Sequence, residues 1–131
     1  MRWPVVLVVG ASLIATVTRA QSSVDWSQAE QLTVVMVDDQ FVPDRLTLRH
    51  GVPYLLRLEN TGKDLHEFTA PEFFADVVSR DPGALANGGT EVVLQPGTGV
   101  DLYIMPVRAG TYRLTCADHD WDGMVGDIVV E

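Results

Sequence analysis

From residue 31 onward the chain is a series of short apolar or alternating runs, each broken by glycine, proline or asparagine. Residues 32–37 are apolar and rich in valine. Residues 45–49 alternate with period two and end at His50-Gly51. Residues 54–58 alternate in part and close at Asn60-Thr61-Gly62. The run at 66–69 stops before Pro71, and that at 91–94 before Pro96-Gly97. Residues 100–105 set Val100, Leu102 and Ile104 against Asp101, Tyr103 and Met105. Residues 112–116 alternate after Gly110, and residues 124–130 put Ile128 and Val130 on one face. Period two with frequent turn residues is the mark of half-buried strands, so about eight strands are predicted in an all-β sandwich or barrel. Met36 and Met105 fall inside these patterns and are assigned to the core.

One stretch departs from the pattern. Pro71 suits a first helical turn, and Phe73, Phe74 and Val77 have helical spacing, so a short helix is predicted over 71–79. A loop with Pro82, Gly83, Gly88 and Gly89 follows over 81–89. Residues 21–30 are polar and aperiodic, as in an N-terminal arm. The 131 residues suit one domain, over 31–131.

The first twenty residues read differently. Arg2 gives a positive start, residues 3–17 are apolar and uncharged, and Thr18-Arg19-Ala20 presents small residues where a signal peptidase cuts. A secretory signal over 1–20, cleaved before Gln21, is expected. The run is shorter than the roughly 20 residues of a spanning helix, which argues against a retained anchor. The expected product is periplasmic or secreted, without stable membrane insertion.

The formal charge is −9, and losing Arg2 and Arg19 with the leader makes it −11. Such acidity excludes nucleic acid and anionic lipid as partners and suits a basic protein. Cys116 is the one cysteine. In an oxidising compartment a lone thiol is buried, reactive, paired between chains or bound to metal.

Its neighbours choose among these. Cys116-Ala117-Asp118-His119-Asp120-Trp121-Asp122-Gly123-Met124 puts a thiolate, an imidazole and a thioether at the junction of two predicted strands. Soft sulfur ligands with imidazole point to copper before iron, calcium or magnesium. A trigonal plane of two histidines and a cysteine with a weak axial methionine needs one more nitrogen. Of the three histidines, His50 sits at a turn and reads as solvated, which leaves His66 on an earlier strand. A ligand on that strand is expected to staple the site across the two sheets. Glu67 is a hard oxygen donor beside His66, but adjacent strand residues point to opposite faces, so it is expected to face away.

Cys116, His119 and Met124, followed by Val125-Gly126-Asp127-Ile128-Val129-Val130, resemble the C-terminal signature of the cupredoxins, with the spacing of the plastocyanin, pseudoazurin and amicyanin branch. Residues 110–116 resemble the strand that leads into their ligand loop. Phe41-Val42-Pro43, Leu46, Gly51, Leu58, Asn60, Gly62 and His66 resemble their N-terminal half. The resemblance covers about residues 31–131. It implies a Greek-key β-sandwich, one type 1 copper ion cycling between Cu(I) and Cu(II), and one-electron transfer; with the acidic charge, a monomer exchanging electrons with a redox protein such as a basic cytochrome is expected. Two departures stand out. Glu67 occupies a position where the family often has asparagine tying the ligand loops together. Asp118, Asp120 and Asp122 crowd a loop that is often partly apolar, and negative charge there favours Cu(II) and a lowered potential.

Three other readings share parts of this pattern. A copper-handling protein for resistance or delivery would use the same residues. An enzyme with Cys116 as nucleophile lacks an evident activating base and orienting group. Zinc would suit His and Cys, but methionine is a poor zinc ligand. Trp121 could cover the site, dock a partner or join the core.

Overall fold

The computed structural model describes residues 23–131; the predicted leader and its cleavage site lie outside the described residues. Two five-stranded sheets face each other. The first has the order β2-β1-β4-β8-β6, built from β1 (Glu30–Val37), β2 (Gln40–Val42), β4 (Tyr54–Asn60), β6 (Val77–Ser79) and β8 (Gly99–Pro106). The second has the order β3-β10-β9-β5-β7, built from β3 (Arg45–Leu48), β5 (His66–Thr69), β7 (Glu91–Leu94), β9 (Gly110–Thr115) and β10 (Val125–Val130). Strands β1 and β4 pair in parallel, as do β3 and β10, so the chain crosses between sheets in Greek-key fashion. The all-β sandwich expected from period-two runs is the fold observed.

Alternation decides which side chains meet between the sheets. Tyr54, Leu56, Leu58 and Asn60 of β4 are buried while the residues between them are only half-buried. Leu46 and Leu48, Leu102 and Ile104, and Ile128 and Val130 do the same on β3, β8 and β10. Phe68 of β5 stands edge-on to Phe41 of β2, with ring centroids 5.9 Å apart, which joins the two sheets through one aromatic contact. Met36 is buried as expected. Met105 is not; it is half-buried on the outer side of β8, because the core side of that strand is already taken by Leu102 and Ile104.

The predicted helix is half right. Helix α1 spans Pro71–Ala75 and buries Phe73 and Phe74, but Val77–Ser79 is strand, antiparallel to the end of β8. Helical spacing among 73, 74 and 77 was outweighed by backbone pairing at an open sheet edge, a non-local reward that spacing does not register. Strand β2 was also unpredicted, because three residues are too few to show a period. Within the predicted arm, Trp26–Gln28 form a 3₁₀ turn capped by Asp25, and Trp26 stands edge-on to Tyr103.

Tyr112 fixes the corner between β8 and β9. Its hydroxyl lies 3.0 Å from the Arg108 carbonyl and 2.9 Å from the Asp76 carboxylate, sharing one proton between them. Burial first, and the Asp76 hydrogen bond second, push the phenol above its ordinary range. Its stabilising contribution is therefore complete below about pH 10 and is lost as pH rises through the elevated folded value. Tyr112→Phe is expected to cost about 1 kcal/mol at neutrality and to flatten the alkaline loss of stability, which urea unfolding at neutral and alkaline pH measures.

Candidate metal centre

One end of the second sheet gathers the predicted residues. Thr115 pairs with Val125 across β9 and β10, so the next residues out, Cys116 and Met124, lie opposite each other. The Cys116 N–H donates to the Met124 carbonyl at 3.1 Å. The loop between them is wound tightly: His119 N–H donates to the Cys116 carbonyl at 3.0 Å, and Met124 N–H to the His119 carbonyl at 3.1 Å. A 3₁₀ turn at Asp120–Asp122 ends at Gly123, whose φ of 88° is the left-handed conformation glycine adopts without strain. Each predicted position thus has a local reason, two strand ends and a clasped turn.

His66 enters from β5, the neighbour of β9 in the same sheet, where Thr69 pairs with Thr115. The expectation that this residue staples the two sheets is therefore corrected. All four predicted residues come from one sheet, because the strand that brings His66 pairs beside β9 rather than facing it.

The three nitrogen and sulfur donors converge. Cys116 Sγ lies 3.3 Å from His119 Nδ1 and 3.8 Å from His66 Nδ1. The donor atoms of His66, Cys116 and His119 all fall within 4.8 Å of one another. Donors sharing one ion at bond lengths of about 2.0–2.3 Å sit roughly 3–4 Å apart, so the observed sulfur–nitrogen spacing fits a metal. His66, Cys116 and Met124 are fully buried, whereas His119 is half-buried at the surface. The Met124 side chain belongs to the core cluster that also holds Cys116.

Polar groups hold the cysteine in place. Glu67 N–H points at Cys116 Sγ across 3.4 Å. Burial pushes the Cys116 thiol up, so without a metal it stays a buried thiol rather than a nucleophilic thiolate. That environment counts against the nucleophile reading.

Glu67 faces away from the donor atoms, as alternation along β5 predicts. Its carboxylate has a use there: Oε2 accepts the Asp118 N–H at 3.1 Å and ties β5 to the loop. Burial first, then the charges of Asp118 and Glu91, raise its carboxyl above the usual range against the pull of the Asp118 N–H. Glu67→Ala should free the Asp118 amide and speed its hydrogen exchange, with a stability loss of about 1 kcal/mol; exchange monitored by NMR in the metal-free protein checks this.

His50 is exposed at its turn, with Nδ1 2.8 Å from the Glu131 carbonyl, and takes no part in the centre. Trp121 is 79% exposed and its indole N–H donates to the Asp118 carbonyl, which removes the core reading. Sequence reasoning missed Asp38, in the turn between β1 and β2. Its Oδ1 lies 3.0 Å from His66 Nε2 and also accepts the Lys63 N–H at 2.9 Å. The Lys63 N–H first, and His66 second, hold this carboxyl below its usual range. An acid in a turn carries no signal of its own, and only knowledge that β2 folds back beside β1 would have flagged it.

The family model for the cupredoxin-like domain matches residues 6–130. No curated protein matches the sequence. Among solved structures, sodium-dithionite-reduced auracyanin from the photosynthetic bacterium Roseiflexus castenholzii superposes with a TM-score of 0.60 at 16% identity, covering 79% of this chain and 98% of that one. Auracyanin B superposes with a TM-score of 0.61 at 17% identity, covering 82% and 93% respectively. At such identity the likeness is one of fold.

Proposed function

The chain belongs to the cupredoxin-like domain family, and from that premise we propose that it is an exported mononuclear type 1 copper protein that carries single electrons. The observation that carries this reading is one buried thiol flanked by two imidazole nitrogens, at strand ends clasped by backbone hydrogen bonds. Among the described residues no helix is long and apolar enough to cross a membrane. Export rests on the leader pattern of residues 1–20.

His66, Cys116 and His119 would hold the ion as its strong donors, with the Met124 thioether as a weaker fourth. Bound copper supplies a one-electron couple between Cu(II) and Cu(I). The protein supplies a frame clasped by its own backbone. Cys116 is tied to Met124, His119 to Cys116, and Met124 to His119 by backbone hydrogen bonds that bear no charge of their own. The Glu67 N–H offers Sγ a dipole in either state. Burial of three of the four residues excludes water, and half-exposed His119 gives electrons their way in and out.

Around His119 the loop presents exposed Asp118, Asp120, Asp122 and Trp121. A basic redox protein, such as a cytochrome, complements that surface and the net charge of −9. The same carboxylates stabilise Cu(II), so replacing all three aspartates by asparagine should raise the reduction potential, as voltammetry would register.

The reading is tested by adding Cu(II) to residues 21–131 and recording absorbance and electron paramagnetic resonance. One copper per chain with an intense thiolate-to-copper band supports it, and a colourless protein without stoichiometric copper overturns it. Rapid electron self-exchange supports the carrier role. Transfer of the ion to another protein without electron exchange would support the copper-handling alternative instead.

A further inference from the structure

We propose that Asp38 is a positioning residue of this centre: its carboxylate holds the Nε2–H of His66, leaving Nδ1 free and aimed at Cys116, and its negative charge biases the centre toward Cu(II). The inference deepens the copper reading above and rests on it.

Asp38 Oδ1 is 3.0 Å from Nε2 of His66, a side chain with no solvent exposure. An ionised carboxylate only accepts hydrogen bonds, so Nε2 must carry the proton. In the neutral imidazole the lone pair is then on Nδ1, the atom 3.8 Å from Cys116 Sγ. Asp38 therefore selects the tautomer in which the right nitrogen can bind a metal. A carboxylate behind an imidazole also makes the ligand more basic, which favours the higher charge on the ion.

The surroundings are built for this contact. The same Oδ1 accepts the Lys63 N–H at 2.9 Å and the Asp64 N–H at 3.4 Å, so two successive amides of one turn hold the carboxylate in place. Buried Asn60 shapes the facing turn, donating to the Asp64 and Leu94 carbonyls and accepting the Gly62 N–H, each at 2.9 Å. Gly62 leaves the needed room. A Cβ there would stand 2.3 Å from Asp38 Oδ1 and 2.8 Å from His66 Nε2, inside the hydrogen bond itself. Asp38 also comes from the first sheet, whereas the four predicted ligands come from the second. This outer hydrogen bond, with that from Asn60 of β4 to the Leu94 carbonyl of β7, therefore links the two sheets beside the centre.

Three variants separate tuning from mere support. Asp38→Asn can keep an oxygen acceptor for the same N–H groups but loses the charge. Asp38→Ala loses both, and Gly62→Ala keeps the charge while displacing it. In the metal-free protein at about pH 8, where an ordinary histidine is neutral, ¹⁵N NMR should show His66 as the Nε2–H tautomer, with mixed tautomers in Asp38→Ala and Gly62→Ala. Cu(II) binding should weaken about 10- to 100-fold in Asp38→Ala. In Asp38→Asn the ratio of Cu(II) to Cu(I) affinity should fall about tenfold, a rise in potential of about 59 mV. A folded Asp38→Asn with the wild-type ratio, or Asp38→Ala with an unchanged tautomer, overturns the proposal. A wild-type chain that takes up no copper refutes the copper reading, and the metal-free NMR then decides the role of Asp38 on its own.

Discussion

Cys116→Ser is expected to abolish the thiolate-to-copper band entirely and to leave a folded, colourless protein. A serine hydroxyl nearly matches the thiol in size, and its oxygen can accept the Glu67 N–H that now points at Sγ. The sheet pairing that carries Cys116 uses its backbone, which the substitution leaves in place. Loss of colour would therefore report on the sulfur rather than on the fold. Cu(II) affinity should drop by more than the roughly 10- to 100-fold that loss of an outer hydrogen-bond partner costs, because a coordinating atom is removed. Absorbance and isothermal titration on both proteins make the comparison, with thermal unfolding of the metal-free forms as the folding control. A band that persists in the variant would remove Cys116 from the centre.

The second large effect is expected in the core. Phe68→Ala should destabilise the metal-free protein by about 3–5 kcal/mol, a fall in Tm of roughly 15 °C or more. Phe68 has no exposed surface and touches aromatic rings of two other elements. Its ring centroid is 5.9 Å from that of Phe41 on β2 and 6.0 Å from that of Phe74 on α1. Truncation would open a void where β5 meets the opposite sheet, two residues beyond His66. Differential scanning calorimetry tests the magnitude. A loss under about 1 kcal/mol would mean that the neighbours collapse into the space and that the aromatic joint contributes little. Excess copper should recover part of the loss in the variant, since an ion that binds only the folded chain raises its apparent stability.

Much of the architecture was legible because period-two alternation is a local property. The runs at 66–69 and 91–94 coincide with β5 and β7, and that at 45–49 overruns β3 by one residue. Where local signal was short or mixed, reading it failed. Val77–Ser79 shares apolar spacing with the helix before it and became strand because β8 offered an unpaired edge. Gln40–Val42 was too short to show alternation. Met105 alternates correctly with Ile104, yet it faces outward, since period two says which residues share a face and not which face is inside.

The spacing of Cys116, His119 and Met124 lies in the order of residues along the chain, and with it the convergence of a thiol and an imidazole on one strand end. Those residues are close along the chain, so local turn geometry brings them together. The choice of His66 over His50 was also available from the sequence, since only three histidines exist and one marks an exposed turn. The packed fold was needed to put the centre in one sheet, to set Glu67 as a brace on the outer face of the loop, and to leave Trp121 in solvent. It alone placed Asp38 on His66, 28 residues away and in the opposite sheet. Contacts of that kind depend on how two sheets are laid against each other, a packing of many side chains at once that no window along the chain contains.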